Sequence, residues 1–237
     1  ATAQDRHVEK SFLTAQGIAT APFADVASEA DLMVAVESIG VPSVLKTRRF
    51  GYDGKGQAKI ASPDAAAAAY DEIGRQPAIL EGFVNFEREI SVVVARGENG
   101  ETAAYDPVEN IHKNHILDRT LAPAGLPKAI ADEACAIAAR IAKELDYVGV
   151  MGVEMFLLPE QGNKRRLVVN EIAPRVHNSG HWTMDACTVS QFEQHVRAIC
   201  GWPLGNPKRH SDDMMTNLIG DEVESWKTLA AEPDTAI

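Results

Sequence analysis

Polar side chains capable of chemistry are concentrated in the segment NEIAPRVHNSGHWT, residues 170–183. The segment contains an acid, two amides, an arginine and two histidines, together with a proline and a glycine that constrain its path. A buried strand would not carry so many polar groups, because each needs a hydrogen-bond partner once it leaves water. The apolar run LVV directly before the segment predicts a core strand that leads into a functional region.

Glu154 and Glu171 form a second candidate group. They sit on consecutive predicted strands, GVMGVEMFLL and RLVVNEIA, whose polar connection is centred on Gly162-Asn163. Symmetric pairing about that centre would place the two glutamates directly opposite each other on one face, with Cβ atoms about 5 Å apart. Their repulsion would be reversed by a hard divalent cation, and Mg²⁺ is the natural candidate because it prefers oxygen ligands and substrate phosphates. The alternative is an asymmetric connection with both glutamates facing solvent, and spacing alone favours neither.

A glycine-rich hairpin, KTRRFGYDGKGQ, has the composition of a loop that covers phosphates. Its glycines permit close backbone approach and its basic side chains add positive charge. The glycines are Gly51, Gly54 and Gly56, and the basic residues are Lys46, Arg48, Arg49 and Lys55. It is not a Walker A motif, because no Ser or Thr follows the Gly-Lys pair, and it is not GxGxxG. Local pattern alone favours an ordinary Asp-Gly hairpin turn with solvated lysines, but that alternative does not explain a lysine inside the apolar strand VLK.

Periodicity places these groups in a small α/β unit followed by a larger sheet with helices. On the first helix, Val8, Phe12 and Leu13 share the face predicted to be buried. The segment 82–86 is a candidate hinge between the two units. Helices are predicted over 5–16, 28–40, 62–70 and 127–146, and a further helix, capped by Thr188 and Gln191, is predicted to end at Gly201. Further strands are predicted at PSVLKTR, QAKIA, AILEGFV, EISVVVAR and TAAYDPVEN.

The composition excludes several classes of function. The chain has 237 residues, 45% of them hydrophobic, and a formal net charge of -11. We therefore expect a globular core and no general binding of nucleic acid, which needs a broad cationic face. Three cysteines without CxxC spacing argue against a disulfide framework or a cysteine-ligated zinc site. A membrane span needs about 20 apolar residues in a row, and no apolar run is that long. No leader-like segment opens the chain, so we expect no membrane association and a cytoplasmic location.

Together these pieces resemble the ATP-grasp superfamily, whose nucleotide lies between a small glycine-loop unit and a larger sheet with acidic metal ligands. More narrowly, QDRHVEKSFL, GYDGKGQ, GVMGVEMF and NEIAPRVHNSGHWT are similar to segments of the N5-carboxyaminoimidazole ribonucleotide synthetase family. The resemblance spans nearly the whole chain and implies an α+β ATP-grasp fold. It implies an entry helix joining the larger subdomain over 1–20, a lid subdomain over 21–84, a metal- and substrate-binding subdomain over 85–220, and the start of a truncated C-terminal segment over 221–237.

The resemblance also implies roles for individual residues. The ATP phosphates would be bound by Arg6, Lys46 and the loop Gly51, Tyr52, Asp53, Gly54, Lys55, Gly56 and Gln57; the adenine by Glu81, Gly82, Phe83 and Val84; the ribose by Glu89; and other parts of the nucleotide by His112, Asn170 and Glu171. Magnesium, expected as two ions, would be held by Glu154 and Glu171. The acceptor and bicarbonate would be bound by Tyr52, Asp53, Arg175, His177 and Asn178, of which Asp53, Arg175 and His177 would be catalytic.

The implied reaction is the ATP-dependent carboxylation of 5-aminoimidazole ribonucleotide with bicarbonate, through carboxyphosphate, in purine biosynthesis. Asp53 would accept the amine proton, and Arg175 and His177 would hold bicarbonate or the forming carboxylate. Formate-dependent glycinamide ribonucleotide transformylase and biotin carboxylase share the ATP and metal chemistry, although the HNSGHWT continuation favours the imidazole enzyme. A nucleotide-binding module without catalysis is the alternative from another class.

Two features depart from the family pattern. The family normally has a further α/β domain before QDR and, after a stretch like the final PDTAI, a basic segment that grips the ribonucleotide phosphate. We expect both to be missing from this chain. The RRF before the glycines is bulkier than the family's usual small residues, which we expect to alter lid mobility. The family is commonly dimeric, which implies a homodimer for the full-length protein.

Overall fold

The structure is a computed structural model that describes residues 2–51, 55–160, 162 and 166–237. The chain divides into two compact units, which are considered separately below. The first unit comprises Ala1–Ile90, Asn114–Ile116 and Val153–Pro174, and the second unit comprises Ser91–Lys113, Leu117–Gly152 and Arg175–Ile237.

Helices and strands alternate along the first third of the chain, and a longer run of strands follows. The α-helices are α1 (Arg6–Ala15), α2 (Glu29–Ile39), α3 (Ala66–Glu72), α4 (Lys128–Glu144), α5 (Thr183–Ala186), α6 (Gln191–Ile199) and α7 (Trp226–Leu229). The strands are β1 (Phe23–Val26), β2 (Ser43–Thr47), β3 (Gln57–Ile60), β4 (Ala78–Gly82), β5 (Arg88–Arg96), β6 (Thr102–Ala104), β7 (Val108–Lys113), β8 (Ile116–Ala122), β9 (Gly149–Leu157), β10 (Leu167–Ala173) and β11 (Asp213–Thr216). Among the helices of the described residues, none has the length and apolar character to cross a bilayer.

A four-stranded antiparallel sheet in the order β1-β4-β2-β3 lies in the first unit. The alternating burial of β2 follows from the pleat, because successive side chains point to opposite faces. Helices α2 and α3 pack with this sheet around one apolar core. The core residues are Val26, Leu32, Ala35, Val36, Leu45, Ala58, Ile60, Ala66, Ala69, Tyr70, Ile73, Ala78 and Leu80.

Helix α1 begins at a capped end but buries a different face from the predicted one. Asp5 accepts hydrogen bonds from the second and third amides of the helix, which otherwise lack partners. Leu13 is fully buried as predicted, whereas Val8 is 42% exposed. Glu9 and Lys10 are buried instead. The predicted buried face is therefore wrong: the buried face of α1 is rotated by about one residue position from the predicted one. The reason is that Glu9 and Lys10 have charged or polar partners elsewhere in the first unit.

The second sheet has seven strands, in the order β10-β9-β5-β7-β8-β11 with β6 paired to β5. Strands β5, β8 and β9 contribute residues to both units. The apolar core of the second unit contains Val93, Ala95, Tyr105, Val108, Ala122, Val150, Trp182, Ala186 and Cys187.

The helices predicted from periodicity are present, and their ends follow local chemistry. Ser28 caps α2, and Gly40 follows it with φ of 88°, a backbone conformation that glycine adopts at no steric cost. Pro127 precedes α4. The predicted cap of α6 is wrong: Ser190, not Thr188, accepts the Glu193 amide.

Candidate functional site

Lys46, Glu81 and Lys10 form a charged cluster in the first unit. Strand β2 pairs with β4 so that Lys46 lies opposite Ile79, two residues from Glu81, and this diagonal relation places both side chains on one face. The Nζ atoms of Lys46 and Lys10 lie 2.9 Å and 3.6 Å from Oε2 of Glu81. Burial alone would raise the pKa of Glu81, but the two ammonium groups lower it below its ordinary value. Glu81 is therefore a buried carboxylate that stays charged.

The other carboxylate oxygen of Glu81, Oε1, has no hydrogen-bond partner among the described residues. Glu81 is only 4% exposed, and a buried acceptor without a partner is costly. A ligand that donates a hydrogen bond to this oxygen would remove the cost. The position is thus suited to an amino group or another N–H donor.

Arg6 and Glu171 connect α1 to β10. The Nη1 atom of Arg6 lies 2.8 Å from Oε2 of Glu171. Burial lowers the pKa of Arg6, but the neighbouring carboxylate outweighs burial and raises that pKa above its ordinary value. Both side chains remain partly exposed, so a phosphate can reach the arginine and a cation can reach the carboxylate.

Two buried side chains of α1 hold the backbone of β10 on either side of residues 170–171. The Nζ atom of Lys10 donates to the carbonyl oxygen of Val169 over 3.4 Å. The Ile172 amide donates to Oε1 of Glu9 over 3.2 Å. Burial raises the pKa of Glu9 to about 8 and lowers that of Lys10. These contacts fix the strand segment that carries the predicted metal and nucleotide ligands.

Glu154 on β9 faces an amide side chain of β10. The Nδ2 atom of Asn170 lies 3.4 Å from Oε2 of Glu154. Beside the connection, the Leu158 amide donates to the Arg166 carbonyl over 2.7 Å. The predicted pairing of Glu154 with Glu171 across the two strands stays a prediction.

Three oxygen-bearing side chains of β9 and β10 suit a hard cation. Glu154, Asn170 and Glu171 are all half-buried, and Oδ1 of Asn170 is a buried acceptor that no described residue satisfies. Carboxylate and amide oxygens are the ligands that Mg²⁺ and Ca²⁺ prefer. Within the described ranges no group of three or more His, Cys, Asp or Glu side chains could hold a metal ion. A cation here would therefore need oxygens beyond the two carboxylates, such as the Asn170 amide and the phosphates of a ligand.

The glycine-rich loop between β2 and β3 is described at its two ends. The predicted site residues Tyr52, Asp53 and Gly54 lie outside the described residues. At the first end, a Cβ atom at Gly51 would lie 3.1 Å from the carbonyl oxygen of Lys55. The two ends of the loop therefore approach each other closely, which favours a residue without a side chain at position 51.

Gly56 and Gln57 form the second end of the loop. Gly56 has φ of +72°, and a Cβ atom there would lie 2.6 Å from Oγ1 of Thr47. Both the backbone conformation and the close approach favour glycine at this position. Gln57 lies opposite Lys46 in the β2–β3 ladder, so the loop returns beside the lysine of the charged cluster.

Arg48 and Arg49, which the sequence analysis counted among the basic residues of the loop, form ion pairs with aspartates of the first unit. The Nη2 atom of Arg48 lies 2.9 Å from Oδ2 of Asp5, and its Nη1 atom lies 3.2 Å from Oδ1 of Asp25. The Nε atom of Arg49 lies 3.2 Å from the same Asp5 oxygen. These contacts compensate the arginine charges and attach the loop to the start of α1.

The predicted adenine-binding segment, residues 81–84, continues from the end of β4. The amide of Gly82 donates to the Pro22 carbonyl over 2.8 Å, and the amide of Phe83 donates to the Pro42 carbonyl over 3.1 Å. Both amides are thus engaged within the first unit. Val84 is half-buried.

The remaining predicted nucleotide residues lie on central strands. Glu89 on β5 is half-buried and belongs to the first unit, whereas His112 on β7 is exposed and belongs to the second unit.

Arg175, His177 and Asn178 follow β10 and belong to the second unit. Arg175 is exposed, and its Nη1 atom donates to the Val176 carbonyl over 3.0 Å. Asn178 is half-buried, and its Oδ1 atom is a buried acceptor to which no described residue donates. These residues offer a cation and hydrogen-bonding groups to an anionic ligand.

His177 is held from two sides. Its amide donates to Oε1 of Gln191 over 2.9 Å, and Nε2 of Gln191 donates to the His177 carbonyl over 2.7 Å. On β9, a Cβ atom at Gly152 would lie 2.6 Å from Cγ of His177. The imidazole therefore packs directly on the backbone at Gly152, and the sequence analysis missed both contacts.

Glu9 and Lys10 were also missed as site-supporting residues. They lie within QDRHVEKSFL, three and four positions after Arg6, and this spacing places all three on one face of a helix. That spacing of charges was the available signal. A polar face is more often solvated, so the signal indicates burial only once β4 and β10 are known to supply partners.

Comparison with known proteins identifies the family to which this fold belongs. A family model described as an ATP-grasp domain matches residues 11–192. N5-carboxyaminoimidazole ribonucleotide synthase from Brucella melitensis is 49% identical over 236 residues, which cover 99% of this chain and 64% of that relative. The synthase of the same name from Bacillus subtilis is 45% identical over 221 residues, with coverages of 93% and 57%. The chain thus spans 57% and 64% of the length of these two relatives.

Solved structures show the same fold. N5-carboxyaminoimidazole ribonucleotide synthetase from Thermus thermophilus matches with a TM-score of 0.85 and 44% identity over 93% of this chain and 58% of that chain. The Aspergillus clavatus synthase in complex with ADP and 5-aminoimidazole ribonucleotide matches with a TM-score of 0.89 and 29% identity over 98% of this chain and 62% of that chain. The α+β architecture predicted from the sequence is confirmed.

Proposed function

Because the chain belongs to the ATP-grasp family, we propose that the intact protein uses ATP to carboxylate 5-aminoimidazole ribonucleotide with bicarbonate. The product is N5-carboxyaminoimidazole ribonucleotide, an intermediate of purine biosynthesis. The proposal is supported by 49% identity to a synthase of that name over 99% of this chain. The observation that carries it is the set of charged side chains in the first unit, in which Lys46, Lys10 and Glu81 lie together and Arg6 pairs with Glu171. These groups offer cations, carboxylates and the unsatisfied Oε1 atom of Glu81 to a nucleoside triphosphate.

The nucleotide site is assigned from the chemistry of that cluster. Arg6 and Lys46 neutralise phosphate charge, and Oε1 of Glu81 accepts a hydrogen bond from the adenine amine. Phe83 and Val84 line the base, and Glu89 accepts from the ribose. The remaining nucleotide contacts are assigned to Gly51, Tyr52, Asp53, Gly54, Lys55, Gly56, Gln57, Gly82, His112, Asn170 and Glu171.

Magnesium fits the oxygen donors of β9 and β10. Glu154 and Glu171 would hold it, and Oδ1 of Asn170, which no described residue satisfies, would complete the protein's contribution. When bound, Mg²⁺ neutralises charge on the triphosphate and favours in-line displacement at the terminal phosphorus. We propose two ions, since phosphoryl-transfer sites often hold more than one metal to neutralise the charge of the phosphates.

The reaction is proposed to run in two stages. A bicarbonate oxygen attacks the γ-phosphorus of ATP, the bond to the ADP oxygen breaks, and carboxyphosphate forms. Carboxyphosphate then loses phosphate to give carbon dioxide beside the exocyclic amine of the ribonucleotide. The amine nitrogen bonds to the carbon, and Asp53 takes the amine proton. Arg175 and His177 stabilise the oxygens of bicarbonate and of the forming carboxylate, and Tyr52 and Asn178 contact the acceptor.

The labile mixed anhydride requires exclusion of water. We propose that residues 21–84 act as the lid that closes over it, that 85–220 form the metal- and substrate-binding subdomain, and that 1–20 join that subdomain as an entry helix. Residues 221–237 would begin a further C-terminal segment. A homodimer and a cytoplasmic location are proposed with the activity.

The proposal is tested by ADP release from the intact protein. We expect release that requires both bicarbonate and 5-aminoimidazole ribonucleotide. Glu171→Gln should abolish it while leaving the fold intact by circular dichroism, because the variant keeps the side-chain shape but loses a metal-binding charge. Glu133→Gln, at an exposed position of α4, is the matched control and should retain turnover.

Three outcomes would contradict the proposal. Undiminished ADP formation by Glu171→Gln would remove the metal assignment. Release driven by formate and glycinamide ribonucleotide, or by biotin, would identify another ATP-grasp ligase. Tight ATP binding without any acceptor-dependent turnover would indicate a nucleotide-binding module.

A further inference from the structure

A chain of buried polar side chains leads through the second unit to His177. The participating residues come from β5, β7, β8 and the turn after His177, and each is at most 6% exposed. The hydroxyl of Thr120 donates to Oδ1 of Asn110 over 3.3 Å, and Nδ2 of Asn110 donates to Oγ of Ser91 over 2.9 Å. The Oγ atoms of Ser91 and Ser179 are 2.7 Å apart, and Oγ of Ser179 lies 2.8 Å from Nδ1 of His177.

The donors in this chain set the direction of every proton. Ser91 accepts from the Asn110 amide, so its own single proton is available for Ser179. Ser179 then accepts from Ser91, and its proton points to Nδ1 of His177. Nδ1 is therefore the acceptor, and in a neutral imidazole the proton lies on Nε2.

The opposite direction is unfavourable with Asn110 oriented as observed. If Nδ1 of His177 carried the proton and donated to Ser179, then Ser179 would donate to Ser91. Ser91 would accept twice, and its own proton would have no acceptor among the described residues. A buried hydroxyl proton without an acceptor costs free energy. In the first arrangement, by contrast, every hydroxyl proton of the network has an acceptor.

The ring is also fixed in place, so the direction of its Nε2–H bond is defined. The backbone of His177 is held on both sides by Gln191, and the ring packs on Gly152 without room for a Cβ atom. A polar network that runs this far into a core is costly unless it is complete. Its completeness here argues for a role in orienting His177.

We propose that Thr120, Asn110, Ser91 and Ser179 hold His177 as a neutral imidazole protonated on Nε2. This inference rests on the proposed function. His177 then acts on the reacting anion as a hydrogen-bond donor through Nε2–H and not as a proton acceptor. The four other members are positioning residues. The negative charge that develops on the oxygens of bicarbonate and of the forming carboxylate is the natural acceptor of such a bond.

The tautomer is measured directly in the intact protein with ¹⁵N-labelled histidine. Heteronuclear NMR of the imidazole, recorded without substrates, distinguishes a protonated from an unprotonated ring nitrogen. We expect the proton on Nε2 in the wild type. Ser179→Ala removes the donor to Nδ1, so we expect a mixture of tautomers and a loss of turnover of about ten-fold or more with little change in KM for ATP.

Thr120, at the end of this series of hydrogen bonds farthest from His177, allows a conservative pair of variants. Thr120→Val removes the hydroxyl that orients Asn110, and we expect the tautomer to become mixed and kcat to fall. Thr120→Ser keeps the hydroxyl and should restore both. Ser43→Ala is the matched control, because Ser43 is also fully buried but its hydroxyl has no partner among the described residues.

The two hypotheses fail in distinguishable ways. A wild-type ring protonated on Nδ1, or a tautomer unchanged in Ser179→Ala and Thr120→Val, would overturn the inference even if the enzyme is active. Equal loss of turnover in Thr120→Val and Thr120→Ser would also overturn it, since a merely structural role does not depend on the hydroxyl. An inactive wild type would contradict the proposed function alone, because the NMR measurement needs no turnover.

Discussion

The Nη1 atom of Arg6 lies 2.8 Å from Oε2 of Glu171, which pairs the arginine proposed to bind phosphate with a carboxylate proposed to bind metal. In the structure each group neutralises the other. A metal ion and a triphosphate would take over both roles at once, since the cation replaces the guanidinium beside the carboxylate and the phosphate replaces the carboxylate beside the guanidinium. The pair therefore balances these two charges of the first unit, and the proposed nucleotide and metal would replace it.

Replacement of Arg6 by glutamine tests whether this arginine binds the phosphates of ATP as well as neutralising Glu171. Arg6→Gln should raise KM for ATP by about ten-fold or more, because a hydrogen bond to a charged group contributes about 1.5–3 kcal/mol. The measurement is the rate of ADP release as a function of ATP concentration. Arg75→Gln is the control, since Arg75 is exposed and its ion pairs with Glu29 and Asp71 lie at the surface. An unchanged KM for Arg6→Gln would show that the arginine only balances Glu171.

The charge on Glu81 should be essential for stability. Glu81→Gln keeps the size of the side chain but leaves Lys46 and Lys10 without their carboxylate, and breaking a buried ion pair costs about 3–5 kcal/mol. Urea denaturation should show this loss. Glu29→Gln, which breaks an exposed pair with Arg75, should change the free energy of unfolding by less than about 1 kcal/mol. A similar small change for Glu81→Gln would show that the ion pairs of Glu81 with the two lysines contribute little to stability.

The ends of the helices are predictable from the sequence because capping chemistry is local. Ser28 and Gly40 bound α2 as the sequence predicts, since few residues near each end can satisfy the unpaired backbone groups. Where two hydroxyl residues compete, as Thr188 and Ser190 do before α6, the sequence does not decide between them, and Ser190 is the cap.

The burial of charged residues is not predictable from a local pattern. Glu9 and Lys10 are 4% and 1% exposed because Glu81 and the backbone of β10 supply their partners, and those partners lie far away in the sequence. Hydrophobicity alone therefore selected Val8, which is exposed.

Motif resemblance selects residues that periodicity does not. It assigned Glu81 to the adenine, although a glutamate inside the run AIL–E–GFV has the pattern of an exposed strand position. The structure adds that this carboxylate is buried with an unsatisfied oxygen. The support behind His177, by contrast, depends on which strands neighbour one another and cannot be obtained from the motif.

The acid stability of the first unit should depend on Asp5. Burial alone would raise the pKa of Asp5, but hydrogen bonds from Arg48, Arg49 and the Val8 amide lower it below its ordinary value of 3.8. A depressed carboxyl pKa stabilises the folded state above the unfolded pKa, and this stabilisation is lost as pH falls through the folded pKa. The affected window therefore lies below pH 3.8.

Asp5→Asn isolates this effect because asparagine also caps helices well. The variant should unfold more easily than the wild type at neutral pH, by about 1 kcal/mol, since it lacks the ion pairs with Arg48 and Arg49. The difference should shrink as pH falls below 3.8. Urea denaturation at several pH values provides the measurement, with Asp132→Asn on the exposed face of α4 as control. A difference that grows with acidity would contradict the assigned direction of the pKa shift.

Gly152→Ala adds a methyl group to β9 at the point where the imidazole of His177 packs on the strand, and it should therefore displace His177. The added Cβ atom would lie 2.6 Å from Cγ and 2.9 Å from Cβ and Cδ2 of His177, a residue that is only 6% exposed. Overpacking of this kind costs about 1–3 kcal/mol, and displacement of the ring should also reduce turnover. Gly97→Ala is the control, because the added Cβ atom would lie no closer than 3.1 Å to its nearest neighbour, Oδ1 of the exposed Asn99.

A double variant separates the clash from a general weakness of β9. In Gly152→Ala combined with His177→Ala, the new methyl group occupies space that the imidazole has left. We therefore expect the pair to be more stable than the sum of the two single changes predicts, with a coupling of about 1 kcal/mol or more in thermal or urea unfolding. Additive losses would show that the alanine is unfavourable on the strand for reasons unrelated to His177, and the proposed packing of the ring on the glycine backbone would then be wrong.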